Sequence, residues 1–231
     1  MKAGRTFDIG IGVAGMDIFN EVLNALMVTV LIAVGAACLT WVIAIALGLA
    51  KTSRHRIVSI AGNVIAELSR GTSCYVLMFW LYFILPFFGV RLDAMFVGII
   101  AIGLNAGAYG SEVVRGAIKA VPAGLREAAV ALNFSHFDTA RYVILPNAVV
   151  RMLPPMCNIM VDILKVTPLV SLITVTDLTF VAQLYRQASG NPILAFSALL
   201  VAYYVLSSGV IYVFKKLESS LVKGFSGTRR A

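Results

Sequence analysis

Charged residues are scarce in this chain of 231 residues, of which 13% are Asp, Glu, Lys or Arg and 60% are hydrophobic. Soluble domains are roughly 45–50% apolar and about 25% charged, so the composition excludes an ordinary soluble protein. It is also too apolar for a disordered chain. We therefore expect an integral membrane protein that lies in a lipid bilayer.

Cysteine and histidine are also few, with three and two residues. Cys38, Cys74 and Cys157 lie in apolar stretches and have no CxxC spacing, which argues against a disulfide framework or a metal site. His55 and His136 lie in polar segments. We expect this chain to bind no cofactor and no metal.

Motifs for nucleotide chemistry and catalysis are missing. No Gly-x-x-x-x-Gly-Lys-Ser/Thr motif is present, and the nearest run, from Gly48 to Thr52, lacks its glycines. No serine–histidine or metal constellation lies in the apolar segments, so we do not expect an enzyme. The net charge of +8 indicates basic residues that flank membrane spans and meet anionic lipid, not a nucleic-acid surface.

Long apolar runs predict helices, because a lipid-exposed span must satisfy its own backbone hydrogen bonds. Four uncharged or nearly uncharged runs cover residues 22–50, 71–90, 94–111 and 187–214, and the second helix is expected to start near Ile57. The stretch 147–179 contains four charged residues and three prolines, which is typical of a broken helix or one buried in a bundle. The sequence predicts an all-α integral membrane protein of about five transmembrane helices.

The distribution of basic residues predicts an outside N-terminus and an inside C-terminus. With that orientation the outer segments hold four basic residues, namely Lys2, Arg5, Arg91 and Arg186. The inner segments hold thirteen: Lys51, Arg54, Arg56, Arg115, Lys119, Arg126, Arg141, Arg151, Lys215, Lys216, Lys223, Arg229 and Arg230. We expect an extracytoplasmic segment 1–21, a transmembrane domain 22–216 and a cytoplasmic basic tail 217–231. The first twenty residues lack a signal-peptide pattern, so the first span is expected to be an uncleaved anchor.

The longest polar segment, residues 113–151, predicts a helix-turn-helix on the cytoplasmic face. Residues 127–132 are strong helix formers, and Asn133 is a plausible left-handed stop. Ser135 is expected to cap a second helix, with Asp138 at its third position, that ends at Leu145-Pro146. On these residues alone, a connector lying on the membrane is an equal alternative.

This segment resembles the EAA loop of permease subunits of ATP-binding cassette (ABC) importers. The family pattern is Glu-Ala-Ala, three residues, Gly, nine residues, Ile, one residue and Leu-Pro. Here it reads Glu127-Ala128-Ala129, Asn133, Val143 and Leu145-Pro146, with every spacing kept. Asn133 replaces the glycine and Val143 the isoleucine, and both changes are physically mild.

Further signatures extend the resemblance over residues 20–218 and point to the polar amino acid importer group. They are Ser69-Arg70-Gly71-Thr72, then Ala108-Tyr109 with Glu112 and Arg115-Gly116, and then Leu164-Lys165-Val166-Thr167 followed by Leu169 to Ile173. In the last of these, Val166 and Pro168 stand where the family usually has Asp and Ser.

The resemblance implies a type I ABC importer permease fold. Its cytoplasmic EAA loop, residues about 116–146, would contain a coupling helix that docks on an ATPase. The candidate coupling residues are Arg126, Glu127, Ala128, Ala129, Leu132 and Asn133. The implied partners are a second permease, identical or paralogous, two ABC ATPase subunits that carry ATP and Mg, and an extracytoplasmic substrate-binding protein. The implied location is the bacterial inner membrane, and the implied solute is a polar amino acid or a related small zwitterion.

Charged residues inside the spans are candidates for a translocation path. Glu67 and Arg70 are three residues apart, as are Asp162 and Lys165, so each pair shares a helix face. Such charges are expected to face the bundle interior, a cavity or the partner permease. The other path candidates are Thr72, Asn105, Tyr109 and Thr167. A purely structural role, in which each pair neutralises itself and sets helix register, is the simpler explanation because it needs no ligand.

Two other function classes remain open at this point. A secondary transporter driven by an ion gradient would use Glu67 or Asp162 as a proton carrier, but it leaves the EAA spacing unexplained. An intramembrane enzyme lacks a nucleophile or metal motif. Within the importer class, opine or ectoine-like solutes are alternatives to amino acids.

Overall fold

The computed structural model describes residues 10–53 and 55–227, with side chains over 19–53 and 55–220. These residues form helices and short connections, without a strand. The α-helices are α1 (Gly10–Lys51), α2 (Arg56–Gly71), α3 (Cys74–Phe79), α4 (Ala94–Lys119), α5 (Ala123–Ala131), α6 (His136–Asp138), α7 (Leu145–Val166), α8 (Leu178–Ser189) and α9 (Pro192–Gly227). Wider π-helical turns cover Trp80–Ile84 and Thr139–Ile144, and 3-10 helices cover Leu85–Phe88 and Thr167–Ile173.

Parts of the predicted terminal segments lie outside the described residues, namely 1–9 of the segment 1–21 and 228–231 of the tail 217–231, and so does Arg54. Helix α1 already begins at Gly10, and α9 continues to Gly227.

Among the described residues, four helical stretches are long and apolar enough to cross a bilayer: Phe19–Lys51, Ala94–Lys119, His136–Ile173 and Pro192–Ser220. A fifth candidate span is a pair of helical segments, α2 and the stretch from α3 to Phe88. The two segments are bent by 94° at the break between them. The predicted all-α membrane fold is confirmed, and about five spans result when the bent pair counts as one.

The second predicted span is not a single helix. Thr72 and Ser73 both have an extended backbone with ψ of 132°, so the helix ends at Gly71 and a new one starts at Cys74. Asn105 of α4 supports this break, because its Nδ2 donates to the carbonyl oxygens of Ser69 (3.1 Å) and Thr72 (3.2 Å). Non-helical backbone in a membrane protein needs such partners.

The helix after the polar loop does not end at Leu145-Pro146 as predicted. The π-helical turn Thr139–Ile144 leads directly into α7, which has Pro146 in its first turn. A proline is tolerated there because the first N–H groups of a helix have no intrahelical acceptor to lose. The interrupted stretch 147–179 is confirmed as a broken element, since α7, a 3-10 helix and α8 divide it.

Helices α1 and α4 pack closely along their length because glycines bring their backbones together. A Cβ atom on Gly107 would lie 2.7 Å from Cβ of Ile43, and one on Gly103 would lie 2.7 Å from Cδ2 of Leu39. The glycines of α4 therefore serve close packing between these two helices. Helix α7 packs on α4, and α9 packs on α7.

Candidate functional site

Helix α5 lies in the polar loop between α4 and α6 and ends as the sequence predicts. Asn133 adopts the left-handed conformation with φ of 57°. Its N–H donates to the Val130 carbonyl (2.9 Å), and the N–H of Phe134 donates to the Ala129 carbonyl (3.0 Å). Asn is among the few residues other than glycine that adopt this conformation readily, so the turn is formed without the family's glycine.

The next helix begins with the predicted cap. The hydroxyl oxygen of Ser135 accepts a hydrogen bond from the backbone N–H of Asp138 at 3.1 Å. The Asp138 carboxylate accepts from the Ser135 hydroxyl instead of from the Ser135 backbone N–H that a capping box uses. The caps and the Asn133 turn together fix the direction of the chain on both sides of the loop.

The six predicted coupling residues divide between an exposed face and an anchored face of α5. The exposed residues are Glu127, Ala128, Leu132 and Asn133. Ala129 is buried within the chain. Arg126 donates through Nη2 to the Ile118 carbonyl at 2.6 Å, which ties α5 to the last turn of α4. The loop therefore offers a carboxylate on a helix surface that is fixed to the transmembrane bundle.

Three of the predicted path residues line one cavity of about 190 Å³ between α3, α4 and α7. They are Asn105, Tyr109 and Asp162. The remaining lining is largely apolar and consists of Cys74, Ile102, Ala106, Ile159, Ile163 and Val166. A largely apolar lining with a few convergent polar groups is typical of small-molecule sites, although this cavity is smaller than most of them.

The two predicted charge pairs form within their own helices. The Arg70 guanidinium lies 3.3 Å from the Glu67 carboxylate, and the Lys165 ammonium lies 3.4 Å from the Asp162 carboxylate. The carboxylate side chains are each 67% exposed on this single chain, so neither pair lies inside its core. Arg70 also stacks over the Tyr109 ring at 5.2 Å, which brings the first pair towards the cavity.

The two predicted path threonines lie in different surroundings. Thr72 is exposed at the α2–α3 break and donates to the Leu68 carbonyl. Thr167 is fully buried, donates to the Leu164 carbonyl at 2.7 Å and lies 3.4 Å from the Tyr203 hydroxyl. Thr167 therefore belongs to the packing between α7 and α9 and does not line the cavity.

The comparisons with known proteins identify the family. Residues 41–223 match the family described as "Binding-protein-dependent transport system inner membrane component". The chain belongs to this family. The permease is 38% identical over 202 residues to a probable amino-acid ABC transporter permease protein, y4tF, of Sinorhizobium fredii, which covers 85% of this chain and 82% of y4tF. It is 35% identical over 179 residues to the glutamine transport system permease protein GlnP of Escherichia coli K12, covering 77% of this chain and 82% of GlnP.

A solved structure shows the same fold. The permease aligns with a chain of an amino acid ABC transporter whose crystal structure contains histidines, with a TM-score of 0.82 and 24% identity. The alignment covers 95% of this chain and 100% of that chain. The fold is that of a type I ABC importer permease, as the motifs implied.

The permease also contains a polar cluster, buried on its Lys51 and Ser111 side, that its sequence did not reveal as a site. Lys51, the last residue of α1, lies 2.6 Å from the Glu112 carboxylate and 3.0 Å from the Ser111 hydroxyl of α4. Arg115 contacts the second oxygen of Glu112, with Nε at 2.8 Å. The spacing of Glu112 and Arg115 was a visible signal, but Lys51 lies 61 residues away and nothing local indicates its partner.

A second cluster that the sequence did not reveal lies at the start of α8. Asp177 is fully buried, and its carboxylate accepts from the Phe180 N–H at 2.9 Å and from the Tyr203 hydroxyl at 3.5 Å. The Leu178 N–H donates to the Thr29 hydroxyl of α1. Asp177 lies outside the four continuous apolar stretches, and the cluster joins α8 to α1 and α9. None of its residues lines the cavity described above.

Proposed function

We propose that this permease forms half of a translocation path for a polar amino acid or a similar small zwitterion, and that α5 couples the path to ATP hydrolysis on partner subunits. The observation that carries the proposal is the exposed Glu127 surface of α5, which the Arg126–Ile118 contact and the Asn133 turn hold in place. A helix fixed to the bundle at both ends passes a displacement to it, whereas a mobile loop does not.

The proposed assembly contains a second permease, identical or paralogous, two ABC ATPase subunits and an extracytoplasmic substrate-binding protein. The chain lacks a nucleotide-binding motif, so ATP and Mg belong to the ATPase partners. The family description itself refers to transport that depends on a binding protein. The expected location is the bacterial inner membrane, with the N-terminus outside.

The cavity supports a zwitterionic solute. The Asp162 carboxylate lines the cavity and can accept from an ammonium group beside its contact with Lys165 at 3.4 Å. Arg70 lies over the ring of Tyr109, another lining residue, and supplies a guanidinium for a carboxylate. The names of the relatives, amino-acid and glutamine permeases, support the same solute class. Glu67 then orients Arg70 and Lys165 orients Asp162 through their ion pairs. Thr72 lies at the helix break that follows Arg70.

The test is uptake of labelled solute by vesicles that hold the complete complex, with ATP inside and an ionophore present. We expect ATP-driven uptake to survive the ionophore. Glu127→Lys should lower it by about tenfold or more, because a reversed charge at a docked surface costs several kcal/mol. Glu21→Lys, a reversal of another exposed glutamate, is the matched control and should transport normally.

Other outcomes identify the competing functions. Uptake that collapses with the ionophore and is indifferent to Glu127→Lys contradicts the proposal and indicates an ion-driven secondary transporter. Competition by unlabelled amino acids against opines and ectoine, each added at equal concentration with the binding protein, identifies the solute class.

A further inference from the structure

We propose that the ion pair of the buried Lys51 with the partly exposed Glu112 is the joint through which the displacement of α5 reaches α1. Lys51 and Glu112 are then positioning residues for transport, although neither lies at the cavity or on the ATPase surface. The inference rests on the proposed coupling through α5.

The geometry joins two helices at a single buried point. The Lys51 side chain is fully buried, and its Nζ has the Glu112 carboxylate at 2.6 Å and the Ser111 hydroxyl at 3.0 Å. Arg115 holds the second carboxylate oxygen, with Nε at 2.8 Å. Because both oxygens of Glu112 are bonded to cations, the carboxylate is fixed in orientation as well as in position.

The joint lies close to the coupling loop along α4. Glu112 precedes Ile118 by six residues, which is about 9 Å of α-helix. The Ile118 carbonyl accepts from Arg126 of α5 at 2.6 Å. On the other side, the Ser59 hydroxyl of α2 donates to the Lys51 carbonyl at 3.2 Å. A continuous set of contacts therefore leads from α5 through the end of α4 to α1 and the start of α2.

Burial makes this pair a fixed connection. A lysine without solvent access cannot separate from its carboxylate unless it remains buried and unpaired, and such a state is strongly disfavoured. The neighbouring backbones are also in close contact, since a Cβ atom on Gly48 would lie 2.6 Å from Val114. The exposed pairs Glu67–Arg70 and Asp162–Lys165 each lie within one helix and cannot connect two of them.

The experiment compares three variants in reconstituted complexes that contain the ATPases and the binding protein. They are Lys51→Met, the double variant Lys51→Met/Glu112→Gln, and the control Lys119→Met, which removes an exposed lysine from the same end of α4. The readouts are the solute imported per ATP hydrolysed and the unfolding temperature of the purified complex. If the pair has a purely structural role, the substitutions lower the unfolding temperature without a separate effect on the solute imported per ATP.

We expect Lys51→Met to keep ATP hydrolysis but to lower the solute imported per ATP by about fivefold or more, because the coupling of α5 to α1 is lost. The double variant should have an unfolding temperature close to that of the wild type, since the buried lysine and its carboxylate are removed together, while import per ATP stays low. Lys119→Met should match the wild type in both readouts.

Three results overturn the proposal: normal import per ATP in Lys51→Met, recovery of import per ATP in the double variant, or failure of the double variant to assemble. The last result would make the pair a requirement for folding. These results are distinct from a failure of the proposed function. If Glu127→Lys uncouples transport while Lys51→Met does not, only the joint is wrong; if the wild type shows no ATP-driven uptake, the coupling proposal itself fails.

Discussion

Single polar residues stabilise the ends of the irregular elements in this permease, and Asp177 is the most deeply buried carboxylate among them. It caps α8 through the Phe180 N–H and meets the Tyr203 hydroxyl. Burial raises the pKa of Asp177 above its ordinary value, although these hydrogen bonds oppose the shift. Ionisation of this group is therefore less favourable in the folded state than in the unfolded state, and it opposes folding.

The expected consequence is a pH-dependent difference between the wild type and Asp177→Asn. The amide keeps an acceptor for the Phe180 N–H but carries no charge. Asp177→Asn should therefore unfold at a higher temperature than the wild type at neutral pH. The gap should close as the pH falls through the raised pKa of Asp177, because the wild-type carboxyl then becomes neutral in the folded state.

Thermal unfolding of the detergent-purified permease at several pH values measures this difference. Asp177→Ala is the control for the cap itself, and it should cost about 1 kcal/mol because the Phe180 N–H loses its acceptor. A gap between the wild type and Asp177→Asn that is constant with pH would contradict the raised pKa.

Residues that act locally were predictable from the sequence, and residues that act at a distance were not. The Asn133 turn and the Ser135 cap depend on neighbours within five residues, so their sequence pattern was sufficient. Lys51 and Glu112 meet across 61 positions, and neither residue type specifies a partner. For the same reason the sequence predicted Asn105, Tyr109 and Asp162 as separate candidates. Only the packing of α4 on α7 shows that they line one cavity.

At the scale of elements, the contact between α1 and α4 requires particular small residues. Gly107→Ala should destabilise the permease by roughly 1–3 kcal/mol, because the added methyl would lie 2.7 Å from Ile43 and force the helices apart. Gly116→Ala is the matched control on the same helix, since its Cβ meets no atom within 4 Å and alanine favours the helix. Thermal unfolding in detergent distinguishes the two; equal unfolding temperatures would mean that the interface is looser than described.

The existence of the spans was predictable at this scale, but their breaks were not. Hydropathy measures the composition of a stretch and contains no information about the direction of its helix axis. The 94° bend between α2 and α3 was therefore not predictable from hydropathy. The continuation of the helix through Pro146 was missed because a proline is read as a stop, although it is equally suited to a first turn.

At the scale of the whole molecule, the remaining prediction is the orientation in the membrane. In a background with Cys38, Cys74 and Cys157 replaced by serine, Asn191→Cys should react with a membrane-impermeant maleimide in intact spheroplasts. Gly124→Cys, beside α5, should react only after permeabilisation. Both positions are exposed on the chain, so accessibility depends on the side of the membrane. The reverse labelling pattern would overturn the orientation derived from the basic residues.

The bonds that Asn105 makes at the α2–α3 break also limit how a cargo molecule can be oriented. Both N–H groups of its amide are taken up by the Ser69 and Thr72 carbonyls, so its amide oxygen alone is left for a passing solute. That oxygen can accept from a positively charged nitrogen but cannot donate to a carboxylate. Under the proposed function, Asn105 and Asp162 would therefore both contact the cationic end of a zwitterion, and its carboxylate would be left to Arg70 over the Tyr109 ring.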